Sequence, residues 1–229
     1  MTQKVFEQIV RADPLVEVVI QQITHAIVTG RLQPGDKLVE VQMGKQLGVS
    51  RAPLREAFQR LEQIGLVEKI PNRGTFVSTL TERDIKELHN VRELLEGLAA
   101  RLLAQRCDPQ AIASLESILE AMRQAAAEDD QSRMITLDAD FHDALIELSD
   151  HSLLRELWVV IGLRLRRFLL LKRQRLYLSL ADAAPIHEPI VRAIAAGDAV
   201  RAEAEARKHV LNAAQNLGYF TEQPPQVAS

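Results

Sequence analysis

Apolar residues recur every three or four positions along most of this chain, which is the spacing of one face of an α-helix. The first such stretch covers residues 14–29 and carries its apolar positions at Leu15, Val18, Val19, Ile23 and Ile27. Two shorter helices are predicted over 40–47 and 51–64. The turn between them is Gly48-Val49-Ser50, with Ser50 as the expected N-cap of the second helix.

Two short strands interrupt the helical pattern. Residues 66–70 and 75–77 have strand character and are joined by Pro71-Asn72-Arg73-Gly74, a typical hairpin tip. From Thr81 onward only helical periodicity is left, through to a last helix over 198–217. The pattern therefore predicts a mainly α protein with two domains. A helix-turn-helix with a hairpin wing covers residues 10–78, and an antiparallel all-α bundle covers residues 81–218.

Composition narrows the class of protein. Hydrophobic residues make up 47% of the 229 positions and aromatic residues 4%, which favours a folded, helix-rich chain. The single cysteine, Cys107, excludes an internal disulfide. Apolar runs such as Leu157–Leu163 are far shorter than a membrane span, and residues 1–7 lack the apolar core of a signal peptide. We therefore expect a cytoplasmic protein with no membrane partner.

Charge adds a modest asymmetry. The net charge is −3, but residues 1–80 carry 10 Lys and Arg against 8 Asp and Glu, whereas residues 81–229 carry 18 against 23. The slightly cationic part coincides with the predicted helix-turn-helix. There, Arg51 and Arg55 lie on one face in the first turns of the second helix, where such helices contact base edges. The alternative is that both are solvated and paired with Glu56 or Asp36.

Several linked motifs in this region resemble the GntR family of bacterial transcription regulators. They are residues 32–38 (LQPGDKL), residues 48–57 (GVSRAPLREA), Leu61, Gly65-Leu66-Val67 and residues 73–77 (RGTFV). The resemblance covers about residues 15–78. It implies that Arg51, Arg55 and the Arg73-Gly74 wing contact double-stranded DNA and that Glu56 holds the arginines in place. Gly44 departs from the alanine more usual there and should weaken its helix by about 1 kcal/mol.

The helical part carries four polar residues on inward-facing stripes. Asp138 and His142 are four residues apart beside Phe141, His187 is in line with Ile190, and His209 is in line with Ala206. A buried carboxylate needs a partner, and a divalent cation is one. Imidazole with carboxylate suits Zn, Ni, Mn or Fe(II), with zinc bonds of about 2.0–2.2 Å. Each histidine taken alone is better explained as an ordinary core residue, and only the set favours a metal site.

This second pattern is similar to the FCD ligand-binding domain of the FadR-like GntR subgroup. The matching residues are Asp138-x-x-Phe141-His142, His187-x-x-Ile190, Ala193-Ile194, Gly197-Asp198 and His209. The resemblance covers about residues 81–217 and implies that Asp138, His142, His187 and His209 bind a metal, with zinc as the expected ion. It also implies a small organic acid as effector. Arg92 is the candidate for its carboxylate, with an ion pair to Glu96 as the alternative.

These patterns together predict a ligand-responsive regulator, and its expected sign is repression. Two-fold protein symmetry is mirrored in two DNA half-sites, so a homodimer on a palindromic operator is expected. The alternatives are a regulator for which the metal itself is the signal, and a metal-dependent enzyme. A general base or nucleophile motif for an enzyme is not evident. The basic stretch 164–175 is predicted as a solvated helix face, with contacts to effector or DNA phosphates as the alternative.

Overall fold

The chain divides into two compact units, Met1–Thr79 and Leu80–Ser229. The structure, a computed structural model, describes residues 14–79, 81–171 and 179–216. The side chains of Arg166 and Arg167, and all of residues 172–178, lie outside the described part. The predicted role of the basic stretch 164–175 therefore stays a prediction. Of its cations, only Arg164 has a described side chain, and it is half-buried. None of the helices described has the length and apolar character needed to cross a membrane.

The N-terminal unit is a winged helix-turn-helix. Its elements are α1 (Pro14–Val28), β1 (Lys37–Leu38), α2 (Glu40–Leu47), α3 (Arg51–Gln63), β2 (Val67–Ile70) and β3 (Gly74–Val77). The strands form an antiparallel sheet in the order β1-β3-β2, with Lys37 opposite Phe76 and Ile70 opposite Gly74. Strand β1 was not predicted, because a two-residue strand is too short to show alternation.

The core of this unit lies between α1 and α3. Leu54, Ala57, Phe58 and Leu61 of α3 are buried at helical spacing. In α1 the buried face is Val16, Val19, Ile23 and Ile27, while the predicted positions Leu15 and Val18 are exposed. Ser50 is at the N-cap of α3 as predicted, although its side chain makes no capping hydrogen bond. A Cβ at Gly44 would come within 2.9 Å of the Val49 carbonyl oxygen, which explains glycine at this close approach.

The C-terminal unit is an all-α bundle, which confirms the predicted mainly α fold. Its helices are α4 (Glu82–Arg106), α5 (Pro109–Ala127), α6 (Gln131–Leu148), α7 (Ser152–Leu171), α8 (Ala183–Ala195) and α9 (Ala199–Asn216), with a 3-10 turn at Leu180–Asp182. Helix α4 begins with a capping box between Thr81 and Asp84. It runs antiparallel to α9, as ion pairs from Glu93 to Arg207 and from Arg101 to Glu203 require.

Small side chains let these helices approach closely. Ala99, Ala100, Ala202 and Ala206 are fully buried between α4 and α9 and the rest of the bundle. Helices α5, α6 and α8 close the core around Leu115, Met122, Phe141 and Ile194. The bundle therefore surrounds the inner faces of α4, α6, α8 and α9, where the polar candidates of the sequence meet.

Candidate DNA-reading helix and metal centre

The first turns of α3 present Arg51 and Arg55 to solvent. Nε of Arg55 donates to both carboxylate oxygens of Glu40, at 3.0 Å each. The hydrogen bond and the charge of Glu40 raise the pKa of Arg55 above its usual value. The predicted partners Glu56 and Asp36 are therefore wrong for Arg55. Glu56 instead pairs with Arg60 at 2.7 Å, so it does not hold Arg51 or Arg55 in place.

The wing carries a second cation beside the predicted Arg73. The backbone at Gly74 has φ of +110°, a conformation that favours glycine. Cζ of Arg73 lies 5.7 Å and Nζ of Lys37 lies 5.8 Å from the centre of the Phe76 ring, so both cations make cation–π contacts with it. Sequence reasoning assigned no role to Lys37. The pairing of β1 with β3 places it in the wing, and the motif LQPGDKL was the available signal.

Four polar side chains meet inside the helical bundle. Asp138 and His142 come from α6, His187 from α8 and His209 from α9, and each is buried. One ring nitrogen from each of the three histidines lies within 4.8 Å of the others, so the three imidazoles can hold a metal ion. Oδ1 of Asp138 is 3.4 Å from Nε2 of His187 and 3.8 Å from Nε2 of His142. The structure thus brings together all four residues predicted from the sequence.

Hydrogen bonds at the far side of two rings fix which nitrogen faces the cluster. Nδ1 of His187 lies 2.7 Å from the Ala183 carbonyl oxygen, and Nδ1 of His142 lies 2.7 Å from Oε2 of Glu96. Both partners are acceptors, so each Nδ1 carries the proton and donates. In the neutral rings both Nε2 atoms then present lone pairs, and they face each other at 3.5 Å. Together with Oδ1 of Asp138, three acceptor atoms converge on one small volume.

Burial keeps the imidazoles of His142 and His209 in the neutral form that binds metals. It lowers the pKa of His142, with a further contribution from the charge of Arg92. It also holds the pKa of His209 well below its usual value, helped by the neighbouring histidines and Arg92. Metal ligation requires a neutral imidazole, so these shifts favour ligation near pH 7.

The spacing of the acceptors fits a small ion. Ligand atoms placed tetrahedrally about 2.0–2.2 Å from one ion are about 3.3–3.6 Å apart. The separation between the Nε2 atoms of His142 and His187 is 3.5 Å, and that between His187 and Asp138 is 3.4 Å. Oδ1 of Asp138 is farther from Nε2 of His142, at 3.8 Å, so two of these three separations match those of a tetrahedral nitrogen-and-oxygen site.

Arg92 and Glu96 form a buried ion pair beside this cluster. Their side chains are 3% and 0% exposed, and Nε of Arg92 donates to Oε1 of Glu96. Burial raises the pKa of Glu96, but the charge of Arg92, the electrostatic interaction with His142 and the hydrogen bonds from both residues outweigh it and lower that pKa to about 2. The pairing considered as an alternative for Arg92 is thus present. The contact from Glu96 to His142 was missed by the sequence.

A fourth buried histidine, His89, lies on α4 with Arg92 and Glu96. Nδ1 of His89 donates to the Ile85 carbonyl oxygen at 2.8 Å. Burial, followed by the charge of Arg92, lowers the pKa of His89 to about 4, so this ring is neutral near pH 7. No function was predicted for His89, since a histidine one turn from Arg92 looks like any core residue in the sequence.

Comparisons with known proteins agree with both units. The family described as "Bacterial regulatory proteins, gntR family" matches residues 15–77, and the FCD domain family matches residues 87–212. Over 188 residues the chain is 34% identical to the "Probable D-xylose utilization operon transcriptional repressor" of Paenarthrobacter nicotinovorans, covering 82% of each chain. Over 225 residues it is 33% identical to the transcriptional regulator LutR of Bacillus subtilis, covering 86% of this chain and 98% of LutR.

A solved structure agrees as well. A GntR transcriptional regulator from Rhodococcus sp. RHA1 superposes with a TM-score of 0.72 at 27% identity, over 90% of this chain and 99% of that one. Relatives of this kind are transcription regulators and not enzymes. Since the two family matches cover both folded units, the chain belongs to the GntR family of bacterial transcription regulators, in the subgroup whose C-terminal domain is an FCD domain.

Proposed function

We propose that this regulator is a repressor that binds a palindromic operator as a homodimer and leaves it when a small carboxylate occupies the metal-containing pocket. The observation that carries the proposal is the convergence of Nε2 of His142, Nε2 of His187 and Oδ1 of Asp138 within 3.4–3.8 Å of one another. Three acceptors this close in a buried site repel one another unless a cation lies among them. The similar protein of Paenarthrobacter nicotinovorans is named as a repressor, which supports repression rather than activation.

Zinc is the proposed ion, held by Asp138, His142, His187 and His209. Nitrogen and oxygen ligands at tetrahedral separations are typical of zinc, with Ni, Mn and Fe(II) as the competing ions. When bound, such an ion supplies a Lewis-acidic position for a ligand carboxylate by expanding its coordination from four to five ligands. The chain's own residues orient the site, because the Ala183 carbonyl and Glu96 fix the two ring tautomers.

Arg92 is the proposed partner of the effector carboxylate. Its guanidinium is buried, and its charge contributes to the lowered pKa values of both His142 and His209, which places it near the cluster. Only Nε of Arg92 is engaged by Glu96 among the described residues. The two terminal nitrogens carry the N–H groups that bind a carboxylate in bidentate fashion. Such an acid can shift the regulator between two states only by binding one of them more tightly.

Two parts of the N-terminal unit, helix α3 and the wing, are proposed to contact the operator. Arg51 and Arg55 on α3 would contact base edges in the major groove, and the Arg73-Gly74 wing would contact the neighbouring minor groove or its phosphates. The cation–π contacts of Arg73 and Lys37 with Phe76 support the wing as a cationic surface.

A titration of operator-bound protein tests the proposal. Protein freed of metal by a chelator is bound to fluorescently labelled operator DNA. Zinc is then added, followed by small carboxylic acids. We expect zinc alone to leave the DNA bound and an acid to raise the operator Kd by about 5–150-fold, the usual range of allosteric coupling. The amides of the same acids, which lack the carboxylate, serve as controls. Release by zinc alone, with nothing added by any acid, would make the metal the signal and overturn the effector role.

The homodimer is proposed to form through the outer face of α4. Val91, Leu94 and Leu98 are 43%, 56% and 38% exposed, and they continue the four-three spacing of Glu87 and Arg101 on either side. This is the pattern of a helix-pairing seam, with apolar centre and charged ends. A two-fold axis through Leu94 reverses the helix, so Glu87 of one copy faces Arg101 of the other. The seam, Glu87 to Arg101, is thus complementary to itself.

Helix α7 extends this apolar surface. The charge of Arg164 acts on Asp84, which places these ends of α7 and α4 side by side. Counting away from that contact, Leu157 and Val91 are each seven residues along their helices, and Leu153 is eleven residues along α7 where Leu94 is ten along α4. Leu157 and Leu153 are 49% and 56% exposed. An apolar patch across two helices is what a permanent partner surface requires.

Replacing Leu94 by Glu should separate the dimer. Two carboxylates would meet near the symmetry axis in an apolar surface, and like charges in such a contact cost several kcal/mol. We expect the dimer dissociation constant to rise at least about 100-fold, measured by analytical ultracentrifugation. Val200→Glu, at a position 80% exposed on α9, is the matched control and should stay dimeric. If Leu94→Glu is as dimeric as the control, the subunits meet elsewhere.

A further inference from the structure

Glu96 contacts both parts of the proposed sensor, the Arg92 guanidinium and the metal ligand His142. It is 0% exposed, and its two oxygens have different partners. Oε1 accepts from Nε of Arg92 on the same helix, and Oε2 accepts from Nδ1 of His142 on α6 at 2.7 Å. A fully buried charge persists only when paired, so Glu96 depends on both neighbours.

Its geometry makes Glu96 more than a partner of Arg92. The bond to Nδ1 of His142 fixes the ring orientation and turns Nε2 toward His187 and Asp138. A carboxylate behind a ligating imidazole raises the basicity of that ligand, and removing such a partner typically costs 10–100-fold in metal affinity. Arg92 is bonded to the same carboxylate. A ligand that binds or displaces the Arg92 guanidinium therefore changes the strength of the hydrogen bond between Glu96 and His142.

We propose that Glu96 is a positioning residue that joins Arg92 to the metal ligand His142, so that events at the Arg92 guanidinium alter metal binding through this one side chain. The inference rests on the proposed metal site. It adds that an acid bound at Arg92 and a cation bound at the histidines affect each other's affinity even where they do not touch, and that the effect is reciprocal.

A double-mutant cycle with zinc as the only probe tests this link. Arg92→Lys keeps the positive charge but removes the guanidinium Nε–H that holds Glu96, so the direct repulsion between residue 92 and the cation is nearly unchanged. We expect Glu96→Gln to weaken zinc binding about 10–100-fold and Arg92→Lys to weaken it about 3–10-fold. The double variant should bind zinc no more weakly than Glu96→Gln alone, because the second change acts only through Glu96.

Controls separate this outcome from damage to the fold. Glu82→Gln removes a carboxylate from an exposed position on the same helix, outside the proposed dimer seam, and should bind zinc like wild type. Thermal unfolding of the zinc-free variants reports whether they fold. If Glu96→Gln does not fold, the nitrogen-15 NMR spectrum of His142 in the wild type decides, since our proposal requires its proton on Nδ1 and a proton on Nε2 would overturn it.

The failures of the two proposals look different. If wild-type protein binds no stoichiometric zinc, the metal site itself is wrong and the link falls with it. If wild type binds zinc but folded Glu96→Gln binds it equally well, only the role of Glu96 is wrong. Losses that simply add in the double variant would show that Arg92 and His142 do not communicate through Glu96.

Discussion

The double replacement of His187 and His209 by Ala is expected to remove the metal and abolish the response to the effector. The metal content measured by elemental analysis should fall from about one ion per chain to near zero. Loss of a residue that merely orients a ligand costs about 10–100-fold in metal affinity, so loss of two direct ligands should cost more than that. Operator binding without effector should persist, because neither histidine belongs to the N-terminal unit.

Stability offers a second readout of the same change. Zinc that binds only the folded protein stabilises it by about 4 kcal/mol at 1,000 times its Kd, so wild type should melt at a higher temperature with zinc. The double variant should show no such shift. His25→Ala, which removes an exposed histidine of α1, is the control and should keep both the metal and the shift.

An isosteric change guards against a folding defect. Asp138→Asn keeps the volume of the side chain but exchanges an anionic oxygen for a neutral amide, which weakens its hold on a cation. Normal metal content in the folded histidine variant, or in Asp138→Asn together with an unchanged thermal shift, would refute the assignment of the site. A loss in both variants would support it independently of cavity formation at the histidines.

Local sequence signals predicted most of the fold because they depend on neighbours in the chain. Helix α2 was predicted over 40–47 and observed at Glu40–Leu47, and α3 begins at Arg51 as expected. Each is bounded by a turn that the sequence marks. The face of α1 was less well predicted, since Val16 is buried and Val18 exposed. Which of two apolar stripes is buried depends on the helix that packs there, here α3.

Partner choice was harder to predict, because it depends on residues distant in the chain. Arg55 pairs with Glu40, fifteen positions away, although Glu56 is its neighbour in sequence. Glu96 contacts His142 across 46 positions, so its i, i+4 pairing with Arg92 was visible but its second contact was not. Two of the four proposed metal ligands share a helix and all lie on inward stripes, but it was the resemblance to the FCD pattern that singled them out as a set. Their convergence required the packing of α6, α8 and α9.

Arg51→Ala is expected to weaken operator binding by about 1–3 kcal/mol and to relax base preference at one position in each half-site. Arg51 is the better test of the two arginines on α3. Truncating Arg55 would leave Glu40 without its bonded partner, whereas Arg51 makes no ion pair with any described residue, so its loss breaks no ion pair there. The effect on DNA is therefore not mixed with an effect on the fold.

The measurement compares the operator with variants substituted at single base pairs, over a range of salt concentrations. A base-reading arginine loses discrimination between these DNAs, whereas a phosphate contact weakens all of them alike and reduces the salt slope by about 1. Arg31→Ala, exposed in the turn after α1, should leave the operator Kd within about twofold of wild type. Unchanged discrimination in Arg51→Ala would mean that α3 does not read the base edges through this side chain.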